Sequence, residues 1–504
     1  MQKKQTILVV ASLLVVVLSV SLAYFTAQII GNGKNVTINS ADLKIIFTDS
    51  DGNIEGNDIT PGWSNSKTFT IENKSNGTYK YNIVIQNLVN TFVTTGYLQY
   101  KITSTNGGYN MAEFEDVPKS ETATDTILAY SASIDVGVTQ TYTVEFTYKN
   151  DESVDQSEDM GKTLSGTLYI EKGTEKPFNG GTFVEAIKHY NPTLKTRTDF
   201  STTFTETNTG TLYKATESIA GNTPIDVYYF AGDAKNNWVK FANFYWRIIR
   251  TNADGSVRLL YSGAATDTTE GYIGESAFNT TSNDPMYVGY KYGTTGSLEN
   301  NRLNTNDSTI KTYVDNWYKN NLIAYTKYLS NEAVYCNDRN LASGHTYSTS
   351  ATNGFRYASY ERLYTNKQPT YNCTDIRDAF SVNNTSAKLD YPIGLMSLDE
   401  LSYAGGRALT PLDAPYAWYY TNANGKSITS YKDTWSLSSC YWDGSNSFVS
   451  DVIGGLGPGG FTYNSGRTSA AVRPALSLKS CTLYSTGNGT AENPYTIKET
   501  ETGC

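Results

Sequence analysis

Two histidines, His189 and His345, narrow the chemistry open to a chain of 504 residues. Neither belongs to a His-Glu-x-x-His run, the spacing that sets two imidazoles on one helix face for zinc hydrolysis. Neither stands beside a Ser-Gly elbow or a cysteine nucleophile motif, so both read as satisfied surface residues. Carboxylates are plentiful, and Asp338, Asp375, Asp378, Asp399, Glu400 and Asp443 could supply a glycosidase pair if the fold brought two together. No spacing singles out such a pair. Asp49-Ser50-Asp51-Gly52-Asn53 opens like a calcium loop but lacks the distal Glu, and reads as a turn. These residues predict no catalytic centre, no metal and no cofactor; the chain reads as a binding protein, not an enzyme.

Binding chemistry concentrates late in the chain. There Thr434-Trp435-Ser436-Leu437-Ser438-Ser439 is followed by Tyr441-Trp442-Asp443-Gly444, a Gly-rich stretch from Gly454 to Gly460, and Val472-Arg473-Pro474-Ala475-Leu476. Tyr and Trp bury a large area at little rotamer cost, while Asn and Asp hydrogen-bond sugar hydroxyls or peptide groups. Trp435 and Arg473 fall in regular strand patterns and are expected to be buried, as is Tyr416-Ala417-Trp418-Tyr419-Tyr420, which reads as a core strand.

The elements that must position these groups are mostly strands. Forty tyrosines among abundant polar and glycine residues suit strands joined by polar turns, and a net charge of -9 with both signs interspersed gives no footprint for nucleic acid. Lys3 and Lys4 precede an uncharged run from Thr6 to Ala27, an export signal. Ser21 and Ala23 fit cleavage near Ala23, and the run is also long enough to stay as a membrane anchor, the one expected contact with a membrane. From 36 to 172, seven short alternating stretches predict a β-sandwich: Val36–Ile38, Leu43–Thr48, Lys67–Glu72, Tyr79–Gln86, Leu98–Thr103, Thr141–Tyr148 and Thr163–Glu171. Residues 173–182, with Lys176-Pro177 and Asn179-Gly180-Gly181, read as a linker.

The second module, 183–498, reads as α+β, followed by a tail over 499–504. A short helix over Phe183–Tyr190 precedes strands Asp226–Phe230, Trp238–Phe241, Phe244–Thr251 and Val257–Tyr261, the last two a hairpin around Asp254-Gly255. Ser308 caps a helix carrying Ile310, Tyr313, Val314, Trp317 and Leu322, and Ser397-Leu398-Asp399-Glu400 is a capping box whose helix stops at Gly405-Gly406. All five cysteines, Cys336, Cys373, Cys440, Cys481 and Cys504, lie in this module. In an exported chain they favour disulfides over a zinc knuckle, which their spacing excludes. The pairing expected is Cys336 with Cys373 and Cys440 with Cys481, leaving Cys504 free or intermolecular.

Leu22-Ala23-Tyr24-Phe25, Ile59-Thr60-Pro61-Gly62-Trp63 and Phe69-Thr70-Ile71-Glu72-Asn73 give residues 1–172 a resemblance to the camelysin and TasA family of exported matrix-fibre proteins. That likeness implies a jelly-roll-like sandwich able to self-assemble. The metalloprotease activity proposed for camelysin does not carry over, since this half holds no histidine. The Trp-Ser-Leu-Ser and Val-Arg-Pro-Ala-Leu segments give residues 225–498 a resemblance to the C-type-lectin-like fold of formylglycine-generating-enzyme relatives and of retroelement-diversified variable proteins. It also looks like an uncharacterised domain of Gram-positive surface proteins. The close cysteine pair of the formylglycine-generating enzymes is missing here, as are the signatures of calcium-dependent sugar binding. In that fold the loops between the two motif strands form the ligand face, which would carry Tyr441, Trp442, Asp443, Asn446, Phe461, Tyr463, Asn464 and Arg467. The expectation is an exported cell-surface protein, adhesin-like, holding an extracellular protein or glycan without metal. The alternatives are a matrix-fibre subunit that self-assembles through the sandwich, and an enzyme such as a glycosidase on a lectin-like scaffold.

Overall fold

The structure, a computed structural model, describes residues 26–27, 36–40, 43–49, 54–55 and 59–504. The leader ahead of Thr26 and the turn over Ser50–Asn53 lie outside the described residues. The fold is mainly β, as its alternating segments predict, with several sheets and no closed barrel among the described residues. No helix among them is long and apolar enough to cross a membrane. The chain divides into two compact units, Met1–Pro177 and Phe178–Cys504.

The first unit is built on a five-stranded and a six-stranded sheet. The strands Ser64–Asn73, Thr139–Tyr148 and Leu98–Ser104 lie side by side and antiparallel in one sheet, and Leu164–Lys172, Tyr79–Asn90 and Ser120–Ile134 in the other. Alternate residues of each sheet enter one shared core, where Phe69, Tyr142 and Phe146 meet Tyr81, Ile83 and Ile170. Tyr81 from one sheet contacts Tyr142 from the other edge to face, their rings 6.3 Å apart. Ser120–Ile134, absent from the expected strands, is the longest at 15 residues and forms the edge of its sheet. Gly173 and Thr174, read as linker, bond to Lys80 and Asn82 of this unit.

In the second unit the helix Phe183–Tyr190 starts at a complete capping box, Thr182 with Glu185. It packs on a sheet whose central strands Phe244–Thr251, Val257–Tyr261 and Pro474–Leu478 are antiparallel neighbours. Trp238–Phe241 pairs with Phe244–Thr251 on one side and in parallel with Tyr495–Thr496 on the other. The helices Thr309–Asn321, capped by Ser308, and Leu398–Ala404, with the Ser397–Glu400 capping box, lie where the cap residues predict. Gly405 ends the latter at φ +127°, in close approach to the Phe204 carbonyl, where a Cβ would not fit. A second sheet runs in the order Glu275–Ala277, Ser469–Ala471, Thr434–Trp442, Ser447–Val452, Phe461–Ser465, and Phe355–Arg356 pairs with the end of Thr434–Trp442.

The disulfides correct one expected pair. Cys336 is bonded to Cys373, but Cys481 is bonded to Cys504, and Cys440 is a buried free thiol. Cys440 sits within Thr434–Trp442 at an inward position with no exposure, so it faces core and not another cysteine. The 499–504 segment is no loose tail: the Thr500 carbonyl accepts from Lys327 Nζ at 2.7 Å and from the Tyr328 hydroxyl at 2.8 Å, and Cys504 is bonded in. Tyr416–Tyr420 is buried as expected from Ala417 onward, but as a turn and not a strand.

Candidate binding surface

Thr434–Trp442 and Ser447–Val452 form a hairpin through Asp443–Asn446, and Phe461–Ser465 adds to it after the Gly-rich loop. Gly444 turns the hairpin at φ +99°, where any Cβ would strike the Ala351 carbonyl. Strand alternation and local cover then sort the aromatics. Tyr441, Phe448 and Tyr463 emerge half-buried on one face, while Trp442 and Phe461 are 3% and 1% exposed.

The three emergent rings interlock. Tyr441 stacks on Phe448 at 4.3 Å with 6° between planes, and Tyr463 meets Tyr441 edge on at 4.8 Å. A short helical segment, Ala358–Tyr360 running into a wider turn over Glu361–Asn366, brings Tyr360 and Tyr364 alongside. These two stack at 4.6 Å with planes 2° apart, and Tyr364 donates its hydroxyl to the Thr462 carbonyl at 2.6 Å. Both approach Tyr463, at 6.4 and 5.9 Å between rings. The exposed Arg356 lays its guanidinium 4.4 Å over Tyr360. Tyr360, Tyr364, Tyr441, Phe448 and Tyr463 thus form one continuous half-exposed platform with an arginine at its rim.

Of the residues expected on a ligand face, the structure brings Tyr441 and Tyr463 together on this platform and leaves Arg467 exposed at the end of its outer strand. Trp442 and Phe461 are corrected to core: Trp442 takes the inward position next to Tyr441, whereas Phe461 shares the face of Tyr463 but is covered by Tyr364, 5.9 Å away between rings, and by the segment at Ala408 that bridges to it. Asp443, Asn446 and Asn464 each commit one side-chain atom internally. Asp443 Oδ1 accepts the backbone N–H of Ser445 at 2.7 Å and of Asn446 at 2.6 Å, shaping the turn. Asn446 Oδ1 accepts from Ser282, and Asn464 Nδ2 donates to Asp451 Oδ2 at 2.5 Å. Tyr360, Tyr364, Phe448 and Arg356 escape sequence reading, although Tyr360 and Tyr364 are four apart, the spacing that puts two side chains on one helical face.

Beneath the platform lie Cys440 and Asp451, both fully buried. Burial pushes the Asp451 carboxyl up to about 7, with nearby Asp433 adding to the effect, while Asn464 opposes it. Burial likewise pushes the Cys440 thiol far up.

Most candidate glycosidase carboxylates are tied into arginine pairs. Arg362 holds Asp338 at 2.7 Å and Asp399 at 2.8 Å; Arg250 and Arg258 hold Glu400 at 2.9 and 2.7 Å. Asp378 is held by Arg339 at 2.7 Å, and Asp375 by Arg377 at 2.6 Å, which lowers its carboxyl to about 2. Burial works against the charge on Glu400, yet Arg258 and Arg250 keep its carboxyl below the ordinary range. A further group, Asp307, Asp315 and Asp390, has the closeness of a cation site. Its centre is taken by Lys311 Nζ, at 3.1, 2.6 and 2.8 Å from the three.

Fold and surface together define a mainly-β chain with two disulfides and a half-exposed, tyrosine-rich platform on its second unit. Comparison with protein-family models, curated proteins and solved structures returns no match.

Proposed function

We propose that this chain is an exported cell-surface binding protein whose second unit holds a protein partner on the tyrosine platform. The observation that carries the reading is the continuous surface of five half-exposed rings rimmed by Arg356. Tyr and Arg dominate the energetic centres of protein interfaces, since they desolvate large areas with few torsions to freeze. The choice of protein over glycan rests on the polar groups. Sugar recognition draws on amides and carboxylates free to meet hydroxyls, and Asp443, Asn446 and Asn464 each spend one side-chain atom inside the fold. What the platform offers is ring faces, phenol hydroxyls and a guanidinium. The two disulfides favour an oxidising compartment, in keeping with the apolar leader.

The test is capture of extracellular proteins and of glycans on arrays by the full chain, beside a Tyr441→Ala/Tyr463→Ala variant. A specific protein hit weakened about 30-fold or more, the loss of roughly 2 kcal/mol that marks a hot spot, supports the reading. Binding unchanged in the variant, or hits confined to glycans, refutes it.

One observation favours the second reading, a self-assembling matrix subunit: the 15-residue edge strand Ser120–Ile134 offers a long row of backbone groups for strand addition. Against it stand repeated register shifts along its pairing with Tyr79–Asn90, which bend an edge away from a partner. Fibres formed by the full chain and abolished by a proline within Thr122–Thr126 would support assembly; a chain that stays monomeric at high concentration would refute it.

A further inference from the structure

The borders of the tyrosine platform carry cations that pair with no carboxylate. Arg356, exposed, lies over the Tyr360 ring at one end of the Tyr360–Tyr364 stack. Lys367 stands at the other end, its Nζ donating back to the Leu363 carbonyl at 3.3 Å and the Tyr364 carbonyl at 2.5 Å. Arg407 is beside it, since its carbonyl accepts at 3.2 Å the N–H of Phe461, the residue whose ring Tyr364 covers. Arg407 Nε is buried and meets no acceptor among the described residues. None of the three cations forms an ion pair there. Burial, and then the charge of Arg407, push the Lys367 ammonium below its ordinary range, so two like charges act on each other and no carboxylate offsets them.

The carboxylates nearby do not restore the balance. Glu361 accepts the Ser343 N–H at 2.8 Å, and Asp443 shapes its own turn. Asp451 is buried, which raises its carboxyl to about 7 and leaves it partly protonated at neutral pH. Arg362 lies two residues from Tyr360 and from Tyr364, on the far side of their turn, and there holds Asp338 and Asp399. With the exposed Arg467 at the end of the outer strand, four cations stand against three carboxylates even when Asp451 is counted as charged, in a chain whose net charge is -9. Past Arg407 the surface turns apolar again, for Leu409 is 62% exposed with its N–H fixed to the Phe461 carbonyl at 2.8 Å.

We propose, resting on the platform reading above, that the partner is an acidic protein segment: its carboxylates meet Arg356 at one end of the stack and Lys367 with Arg407 at the other, and its apolar side chains cover the rings and Leu409. Charge around an apolar centre is the anatomy of protein interfaces, where complementary charge selects the partner and speeds its arrival. An anion brought to Lys367 and Arg407 offsets their mutual repulsion, so this pair favours the bound state over the free one. A sulfated polysaccharide also carries anions, but it has no apolar side chains to lay on Leu409 and the ring faces.

The full chain is titrated, by fluorescence anisotropy at low and moderate salt, against labelled peptides of repeated Glu-Leu-Ser, Gln-Leu-Ser or Lys-Leu-Ser units and against heparin. The Glu peptide should bind saturably, at least tenfold tighter than the Gln peptide and weakening as salt rises, and the Lys peptide should not bind. Lys367→Gln/Arg407→Gln should lose about tenfold for the Glu peptide and little for the Gln peptide, a split that loss of folding would not give. Arg356→Glu, at an exposed position, should lose severalfold for the Glu peptide and gain binding of the Lys peptide. Tyr441→Ala/Tyr463→Ala should weaken the Glu and Gln peptides alike. No peptide binding by the folded chain, equal affinity for the three peptides, or heparin bound more tightly than the Glu peptide would overturn the acidic partner. A Glu preference unmoved in both charge variants, beside a tyrosine variant that loses binding, would overturn it too and leave the platform standing. Charge variants that behave as expected, beside a tyrosine variant that binds normally, would uphold the acidic selectivity and overturn the platform.

Discussion

Replacing Asp451 with Asn should stabilise the second unit at pH 8 by up to about 4 kcal/mol and change little near pH 4. Asp451 is fully buried on the strand Ser447–Val452, with Oδ2 accepting from Asn464 and Oδ1 meeting no partner among the described residues. Burial raises its carboxyl from 3.8 to about 7. Between these values the folded chain keeps a proton that the unfolded chain has released, so stability declines as pH rises through the window and stays low above it. A shift of roughly three units at about 1.4 kcal/mol each gives the magnitude, an upper value because a buried carboxylate relaxes and admits water. Asn has the same shape and no charge, and its carbonyl can still accept from Asn464. Urea unfolding at pH 4.5, 6 and 8, followed by tryptophan fluorescence, suits the question because Trp63 alone of the seven tryptophans lies in the first unit. Parallel pH profiles for the two chains would refute the argument. A steeper decline in the variant would reverse its sign.

Glu400→Ala should cost about 3–5 kcal/mol, measured by denaturant unfolding, because it leaves Arg250 and Arg258 buried with a shared partner removed; a loss below about 1 kcal/mol would show that the arginines re-pair. Cys440 should resist iodoacetamide in the native chain and become the single alkylated cysteine on unfolding without reductant, as read by mass spectrometry; rapid native labelling would contradict its burial. A chelator should leave the melting temperature unchanged, since Lys311 stands among Asp307, Asp315 and Asp390. Lys311→Met should destabilise the chain by about 3 kcal/mol and make the melting temperature rise with added calcium, and insensitivity to calcium would argue against a cation-shaped site.

Local chemistry in the sequence is legible where a side chain acts on its own neighbourhood. Ser308, Ser397 and Glu400 mark helix starts because capping is settled within four residues, and Asp254-Gly255 marks a hairpin for the same reason. Ser120–Ile134 escapes because its first half, Ser-Glu-Thr-Ala-Thr-Asp-Thr, lies exposed on a sheet edge and shows no apolar alternation. The binding face is half legible. Gly and Asn near Trp442 and Tyr463 suggest loops, whereas the structure continues the strands through both, and a period of two turns Trp442 inward beside the outward Tyr441, while Phe461, on the same face as Tyr463, is covered by Tyr364. Tyr360 and Tyr364 reach the platform from some eighty residues away, and Cys504 reaches Cys481 through the fold and not through spacing. No local rule carries that information.

The parallel pairing of Trp238–Phe241 with Tyr495–Thr496 has a consequence for the order of synthesis. The helix Phe183–Tyr190 packs through Phe183 and Tyr190 against Tyr495, and Thr182 bridges to Leu483. The beginning of this unit is thus completed by residues made some three hundred positions later. A growing chain cannot close this sheet in order of emergence; about sixty per cent of the polypeptide must wait, open and unpaired, for its final strand. The tyrosines and tryptophans of an unfinished second unit are then a standing risk of association with other chains, and the first unit, whose strands all lie ahead of residue 173, can fold before that wait begins.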